Sequence, residues 1–200
     1  MKHAIVLVSL VMLSLAAPPS GRTNGYLMGM AWSGSYGVGD TDDFAGDPSW
    51  RGLGVDLRSL RSERTSLGVY LAFNAFYNKT SEVAEIPGQS GHVAGTQFRY
   101  LNVFPVLVTG HYYLGRTPDS GVYLGGGAGV YPAEYRLDLG TQKYQETLWY
   151  PGLMPEAGWI FPLGTSARGY VNLKFHYGIA TSKNDPSLSY LSLGVGLMDF

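Results

Sequence analysis

The stretch RGYVNLKFHYGIA, residues 168–180, decides the fold class, because its side chains sort into two faces by alternation. Side chains of a β-strand point to opposite faces in turn, so every second residue shares a face. One face would carry Gly169, Val171, Leu173, Phe175, Tyr177 and Ile179. The other would carry Arg168, Tyr170, Asn172, Lys174 and His176. In a soluble sandwich the polar face would meet water, whereas in a transmembrane barrel the apolar face would meet lipid.

Seven further segments are candidate strands, with connectors rich in glycine, proline or polar residues between them. The segment 98–113 alternates less clearly, because Pro105 interrupts it and both parities are apolar around residues 103–108. We predict strands at residues 25–36, 50–60, 98–113, 122–135, 148–161, 168–180 and 187–200. One more strand, the third in chain order, is predicted directly after the turn 61–64. The connectors after the first, third and fifth strands are long, and those after the second, fourth and sixth are short. Outer-membrane barrels alternate in this manner, with short periplasmic turns and longer extracellular loops. The predicted fold is all-β, an eight-stranded antiparallel up-and-down transmembrane β-barrel. A soluble lipocalin-like barrel is the alternative.

Composition narrows the classes of function. Only 14% of the 200 residues are charged, against roughly 25% in ordinary soluble domains. The net charge of -1 gives no support to a nucleic-acid partner, which would require a basic patch. Cysteine is absent, which excludes disulfides, thiolate metal sites and a cysteine nucleophile. No histidine and carboxylate cluster has the spacing of a metal site, so we expect neither a metal nor a cofactor.

The N-terminus has the pattern of a secretory signal. Lys2 and His3 precede an apolar run at residues 4–13, and small residues follow at Ser14 and Ala16. The run is shorter than the roughly 20 residues that a transmembrane helix needs. We therefore predict a cleaved signal peptide at residues 1–17 and a barrel domain at residues 18–200.

Several motifs resemble those of a known group. The run YLGGGAGVY at residues 123–131, the run NVFPVLVTGHYYLG at 102–115 and the terminal Phe200 are similar to the small eight-stranded outer-membrane β-barrel proteins, typified by outer membrane proteins A, X and W. The resemblance implies a bacterial outer-membrane location, contact with outer-membrane lipids and lipopolysaccharide, and a monomer. It also implies that the barrel-assembly machinery reads Phe200 as an assembly signal during insertion.

Some positions predict irregular pairing. Phe200 has the opposite parity to Leu191, Leu193, Val195 and Leu197, so either a bulge lies near Met198 or the last residues leave the ladder. Prolines at 105, 151 and 155 fall inside predicted strands, where each would remove a ladder hydrogen bond.

Charged or titratable residues on the inner faces form the candidate site. They are Asp56, Arg58, Glu156, Arg168, Lys174 and His176. The interior of an eight-stranded barrel is just wide enough for side chains to fill it, so these groups should lie close together. Buried charges must be paired, which predicts a salt-bridge plug of the lumen, with a narrow or gated pore as the alternative. The glycines at 125–129 lack the sequence context of a phosphate loop, and we interpret them as making room for bulky neighbours.

Enzymatic interpretations find little support. Outer-membrane lipid A deacylases resemble this architecture and use a histidine followed two residues later by a serine. In this chain the residue two after His176 is Gly178, so that nucleophile is missing. We assign His111 to an interfacial aromatic belt with Tyr112 and Tyr113. The sequence thus predicts a non-enzymatic barrel with a structural or surface-interaction role. The alternatives are a small channel or transporter for ions or hydrophobic molecules, as outer membrane protein W would imply, and a lipid A-modifying enzyme.

Overall fold

The computed structural model describes residues 25–80, 83–85, 92–94, 97–115, 120–139, 142–164, 167–182 and 185–199. The predicted signal peptide and Phe200 lie outside these residues. Within them, no helix has the length and apolar character needed to cross a membrane.

The secondary structure is one short helix and a series of antiparallel strands. In chain order the elements are β1 (Tyr26–Gly37), α1 (Asp40–Ala45), β2 (Ser49–Ser62), β3 (Thr65–Thr80), β4 (Val83–Glu85), β5 (His92–Ala94), β6 (Gln97–Val103), β7 (Val106–Tyr113), β8 (Gly121–Leu139), β9 (Gln142–Pro162), β10 (Arg168–Gly178) and β11 (Leu188–Asp199). β1 pairs with β2 on one side and with β11 on the other, which closes the sheet. β6 and β7 follow one another along the same two neighbours, β3 and β8, and together make one strand of the wall. The result is a closed barrel of eight strands, as predicted.

The two faces of the wall agree with the predicted alternation. On β10, Leu173 is 51% exposed on the outside, whereas Lys174 and His176 are buried in the lumen. The same holds on β1, where Met30 and Trp32 face outward. Large apolar side chains cover the exterior of the other strands as well, among them Leu53, Leu57, Leu124, Leu153, Trp159, Leu193, Val195 and Leu197.

We call the two openings of the barrel the turn end and the loop end. The turn end carries the turn at residues 63–64, the connections between β7 and β8 and between β9 and β10, and the two termini of the barrel. The loop end carries α1, the β4–β5 pair and the connection between β10 and β11.

Polar segments predicted to be connectors contain regular structure. The segment 136–147 belongs largely to β8 and β9, which pair continuously from Gly121 to Leu139, opposite Ile160 to Gln142. The long connector 79–97 contains the β4–β5 pair, and the first connector contains α1. These segments lack the apolar alternation on which the strand predictions rested, because the loop-end extension does not need an apolar outer face.

Two of the three prolines expected to interrupt the pairing do so, and Pro151 does not, because it stays paired with Val130 of β8 and its O accepts from Ile179 N at 2.8 Å. The wall breaks at Phe104 and Pro105, but Phe104 N donates to Pro132 O at 2.9 Å and Ala72 N donates to Pro105 O at 3.1 Å, so the wall stays closed. Between β9 and β10 the pairing lapses around Pro155 without a change of register. The expectation of a bulge near Met198 is wrong. Met198 of β11 pairs with Gly29 of β1 and with Arg168 of β10, and neither ladder changes register there. Met198 simply points into the lumen.

The core of the protein lies inside the barrel, in two apolar clusters. The loop-end cluster includes Ala45, Phe76, Leu101, Tyr131, Tyr150, Met154, Leu188 and Tyr190. The turn-end cluster comprises Leu27, Ala31, Leu60, Tyr113, Tyr123, Ile160, Tyr170 and Met198. On β9, Glu156 falls between Met154 of one cluster and Ile160 of the other. Charged side chains therefore lie between two apolar layers.

Candidate functional site: the charged centre of the barrel

Four charged side chains meet in the lumen, and we call them the charged centre: Asp56 and Arg58 of β2, Glu156 of β9 and Lys174 of β10. Arg58 Nη2 lies 3.3 Å from Asp56 Oδ2 and 3.6 Å from Glu156 Oε1. Lys174 Nζ lies 3.6 Å from Asp56 Oδ2 and 3.9 Å from Glu156 Oε1. All four side chains are buried. Two carboxylates and two cations alternate, so the formal charges cancel.

Strand geometry explains why these residues come together. Asp56 and Arg58 are two residues apart on β2 and so share its inner face. Lys174 stands directly opposite Glu156 in the β9–β10 ladder. Closure of the barrel then brings β2 across the narrow lumen from β9 and β10.

Glu156 accepts hydrogen bonds in addition to its ion pairs with Arg58 and Lys174. Tyr123 donates its hydroxyl to Oε1 at 2.7 Å, and Asn172 Nδ2 donates to the same oxygen at 3.1 Å. His111 Nε2 lies 3.3 Å from Oε2. Burial of a carboxylate is costly unless hydrogen bonds and opposite charges satisfy it, and Glu156 has both.

Aromatic rings flank the two cations. The Arg58 guanidinium lies 4.9 Å from the centre of the Tyr123 ring, and Lys174 Nζ lies 3.8 Å from the centre of the Tyr70 ring. Cations over aromatic faces are stabilised by the ring quadrupole, more strongly where water is excluded. Neither tyrosine stands out in the sequence as part of the site, although both have inward parity.

The assignment of His111 to an outer aromatic belt is wrong. Tyr112 does face outward and is 45% exposed, but His111 and Tyr113 point into the lumen and are buried. Besides contacting Glu156, His111 places Nδ1 3.5 Å from Ser66 Oγ. Strict alternation along residues 111–113 would have given these directions, because neighbouring residues of a strand cannot share a face.

His176 lies next to the charged centre, on the side of the loop-end cluster. Its Nε2 is 3.1 Å from Ser192 Oγ, and its ring stacks on Tyr190 with centroids 4.3 Å apart. Tyr131 meets the ring edge-on at 5.8 Å. The serine beside His176 therefore comes from the neighbouring strand β11, which spacing along one strand could not reveal.

Arg168 lies apart from the charged centre. It is the first residue of β10, at the turn end, and is half-buried opposite Met198 of β11. Six residues of strand separate it from Lys174, which corresponds to about 20 Å.

Three buried polar atoms of the described residues have no hydrogen-bond partner: Arg58 Nη1, Thr109 Oγ1 and His176 Nδ1. Most buried polar atoms in proteins are bonded, to the protein or to water. In the same part of the chain, no group of three or more histidines and carboxylates is placed to hold a metal ion.

Glycines on the inner face of β8 lie against bulky neighbours, as expected from the sequence. A Cβ on Gly125 would come within 2.4 Å of the His111 ring, and one on Gly127 within 3.1 Å of Thr109 Cγ2. On β9, a Cβ on Gly158 would come within 2.5 Å of the Tyr123 ring. These glycines give His111 and Tyr123 the room to reach Glu156.

Comparison with known proteins shows similarity at the level of structure. No family model and no curated protein sequence matches the chain. The solved structure of Ail, the attachment invasion locus protein of Yersinia pestis, is similar with a TM-score of 0.52 and 13% identity over 88% of this chain and 99% of that one. Neisserial surface protein A is similar with a TM-score of 0.55 and 11% identity over 87% of this chain and 95% of that one. The chain therefore has the fold of the small eight-stranded outer-membrane β-barrel proteins.

Proposed function

We propose that this protein is a bacterial outer-membrane barrel with a closed lumen, and that it acts as a structural or surface-interaction protein. The observation that carries the proposal is the charge-balanced centre around Glu156, packed between two apolar clusters. A solute would have to displace ion pairs and aromatic side chains together in order to pass.

The exterior supports the membrane location. Apolar side chains cover the outside of the strands, and burial of this surface in lipid removes it from water. With the turn end on the periplasmic side, the loop end faces the outside of the cell, and the apolar exterior contacts outer-membrane lipids and lipopolysaccharide. The predicted signal peptide agrees with export.

The loop end supports a closed lumen. Thr41 and Ala45 of α1 are buried at this opening. Ser189 N donates to Thr41 Oγ1 at 3.0 Å, and Arg99 Nη1 donates to Asp43 O at 3.1 Å, which ties α1 to both sides of the opening. The helix thus adds a layer above the loop-end cluster.

Planar-bilayer recording of the purified protein tests the closed lumen. We expect no discrete conductance steps, because the charged centre and the two apolar clusters occupy the narrow lumen. A parallel gel should show that unboiled protein migrates differently from boiled protein, as a detergent-resistant barrel does. Regular conductance steps from a homogeneous sample would contradict the closed lumen. If the purified protein stayed soluble without detergent, that result would contradict the membrane location.

A small ion channel is the second candidate, and two of the three unbonded polar atoms favour it. Arg58 Nη1 and His176 Nδ1 lie at and beside the charged centre, where water molecules would satisfy them. If conductance is observed, Lys174→Met should change its ion selectivity, because it leaves the two carboxylates facing only Arg58. Unchanged selectivity would exclude a conduction path through the charged centre.

We infer that the protein is not a lipid A-modifying enzyme, although His176 does contact a serine. Both His176 and Ser192 are buried, and aromatic rings surround the histidine, so an acyl ester in the membrane could not reach them. An assay of acyl release from lipopolysaccharide should detect none. Release that disappears in His176→Ala or Ser192→Ala would overturn this inference.

A further inference from the structure

A cleft of about 460 Å³ opens at the loop end, between α1 and the inner side of the β8–β9 extension. Its lining includes Phe44 of α1, Tyr135 and Leu137 of β8, and Tyr144 and Glu146 of β9. Ligand sites for small molecules commonly have volumes of roughly 300 to 1,000 Å³. The cleft is therefore large enough for a small organic molecule.

The ladder register determines which side chains face the cleft. Tyr135 is opposite Glu146, and Leu137 is opposite Tyr144, so these four share one face of the extension. Phe44 approaches this face from α1 and meets Tyr135 edge-on, with ring centroids 5.1 Å apart. The cleft thus presents three aromatic rings and one carboxylate.

Arg136 and Gln145 also border the cleft, but their pairing places them on the opposite face. The Arg136 guanidinium is held there by Asp138, at 2.6 and 2.9 Å, and lies 5.2 Å from the centre of the Tyr100 ring. Gln145 donates to Glu134 on the same outer face. The positive charge of Arg136 is therefore neutralised outside the cleft.

The electrostatic environment of the cleft is negative. Asp40 and Asp185 lie close enough to Tyr135 to act on its hydroxyl electrostatically, and Glu146 acts in the same way on Tyr150. The Arg99 guanidinium lies beside α1, 5.8 Å from the centre of the Phe44 ring, and donates to Asp43 O. Three carboxylates thus lie around the opening, and the two guanidiniums near it, those of Arg99 and Arg136, are each bound to an oxygen of the protein.

We propose that this cleft binds a small organic cation, with its ammonium group against the Tyr144 and Tyr135 rings and beside Glu146. Aromatic faces attract ammonium groups, and quaternary ammonium ligands are recognised by cages of such rings. Anionic ligands such as sulfated sugars would be repelled by Glu146, Asp40 and Asp185. This site goes beyond the structural role proposed above and does not depend on whether the lumen conducts.

Choline and 3,3-dimethylbutan-1-ol provide the test, because they share a shape and differ in charge. In amide NMR titrations of the protein in detergent micelles, choline should shift the signals of Phe44, Tyr135, Tyr144 and Glu146. The neutral alcohol should bind at least about threefold more weakly. Equal binding of the two compounds would overturn the proposal. So would the absence of choline-dependent shifts at the cleft in a sample with a folded spectrum.

Matched substitutions separate the ring from the charge. Tyr144→Phe keeps the aromatic face and should retain choline binding, whereas Tyr144→Leu keeps apolar bulk and should lose it. Glu146→Gln should weaken binding, whereas Glu134→Gln makes the same change on the outer face and should not. Retained binding in Tyr144→Leu, or equal effects of the two glutamine variants, would contradict the assigned contacts.

Discussion

Lys174 of β10 stands directly opposite Glu156 of β9, and its ammonium nitrogen lies 3.9 Å from Glu156 Oε1. The same nitrogen lies 3.6 Å from Asp56 Oδ2, and Arg58 contacts both carboxylates as well. Each cation is thus shared between two carboxylates. A change at any one of the four residues must alter the environment of the others.

Replacement of Lys174 by methionine should destabilise the barrel by about 3 to 5 kcal/mol, because it leaves two buried carboxylates against one cation. Glu156→Gln should also be destabilising, but the double variant should lose less than the sum of the single losses. Urea unfolding in lipid vesicles, followed by tryptophan fluorescence, measures the four free energies of the cycle. Additive losses would mean that the two side chains do not interact.

Gly158→Ala should destabilise the barrel by about 1 to 3 kcal/mol, because the added methyl group overlaps the Tyr123 ring and displaces its hydroxyl from Glu156. Gly110→Ala is the matched control. The nearest neighbour of its added Cβ lies 4.0 Å away, so it should have little effect on the same unfolding measurement. Equal losses in the two variants would show that overlap with Tyr123 is not the cause.

Alternation along single strands was sufficient to predict the barrel and the inner position of Asp56, Arg58, Glu156 and Lys174. It could not predict which inner residues meet across the lumen, because that depends on closure and on the stagger of distant strands. The contacts of Lys174 with Asp56 and of Arg58 with Glu156 are of this kind. The contacts of His176 with Ser192 and of Glu156 with His111 depend instead on the register of nearby strands, which alternation along one strand does not give. The loop-end cleft also escaped prediction, since its residues come from polar segments in which no apolar face marks a strand.

The contact between Asp40 and Ser187 should make the loop end sensitive to acid. Ser187 donates its backbone N–H at 2.6 Å and its hydroxyl at 2.8 Å to Asp40 Oδ2. The backbone bond and then the hydroxyl bond lower the pKa of the Asp40 carboxyl below its ordinary value near 4.

The pKa of Asp40 is lower in the folded state than in the unfolded state. The contact therefore stabilises α1 fully at pH values above the ordinary pKa, and this stabilisation is lost as the pH falls through the folded-state pKa. A carboxyl ¹³C NMR titration of Asp40 should give a midpoint below that of an exposed aspartate. Ser187→Ala should move the midpoint upward only in part, because the backbone donor remains. An ordinary midpoint in the unsubstituted protein would contradict the contact.

Leu173 points outward, so a substitution there tests whether the outer surface of the barrel lies in a membrane. Leu173→Arg should cost about 2 to 4 kcal/mol if the residue lies near the midplane of the bilayer, because the charge would face lipid. Ile179 lies just beyond β10 at the loop end, is 48% exposed and faces the same side. Ile179→Arg should therefore cost only about 0 to 1 kcal/mol, as expected near an interface. Folding into vesicles, scored by the gel shift between boiled and unboiled samples, compares the two variants. A barrel immersed in lipid requires the larger loss at Leu173, whereas a soluble barrel would tolerate arginine equally at both positions.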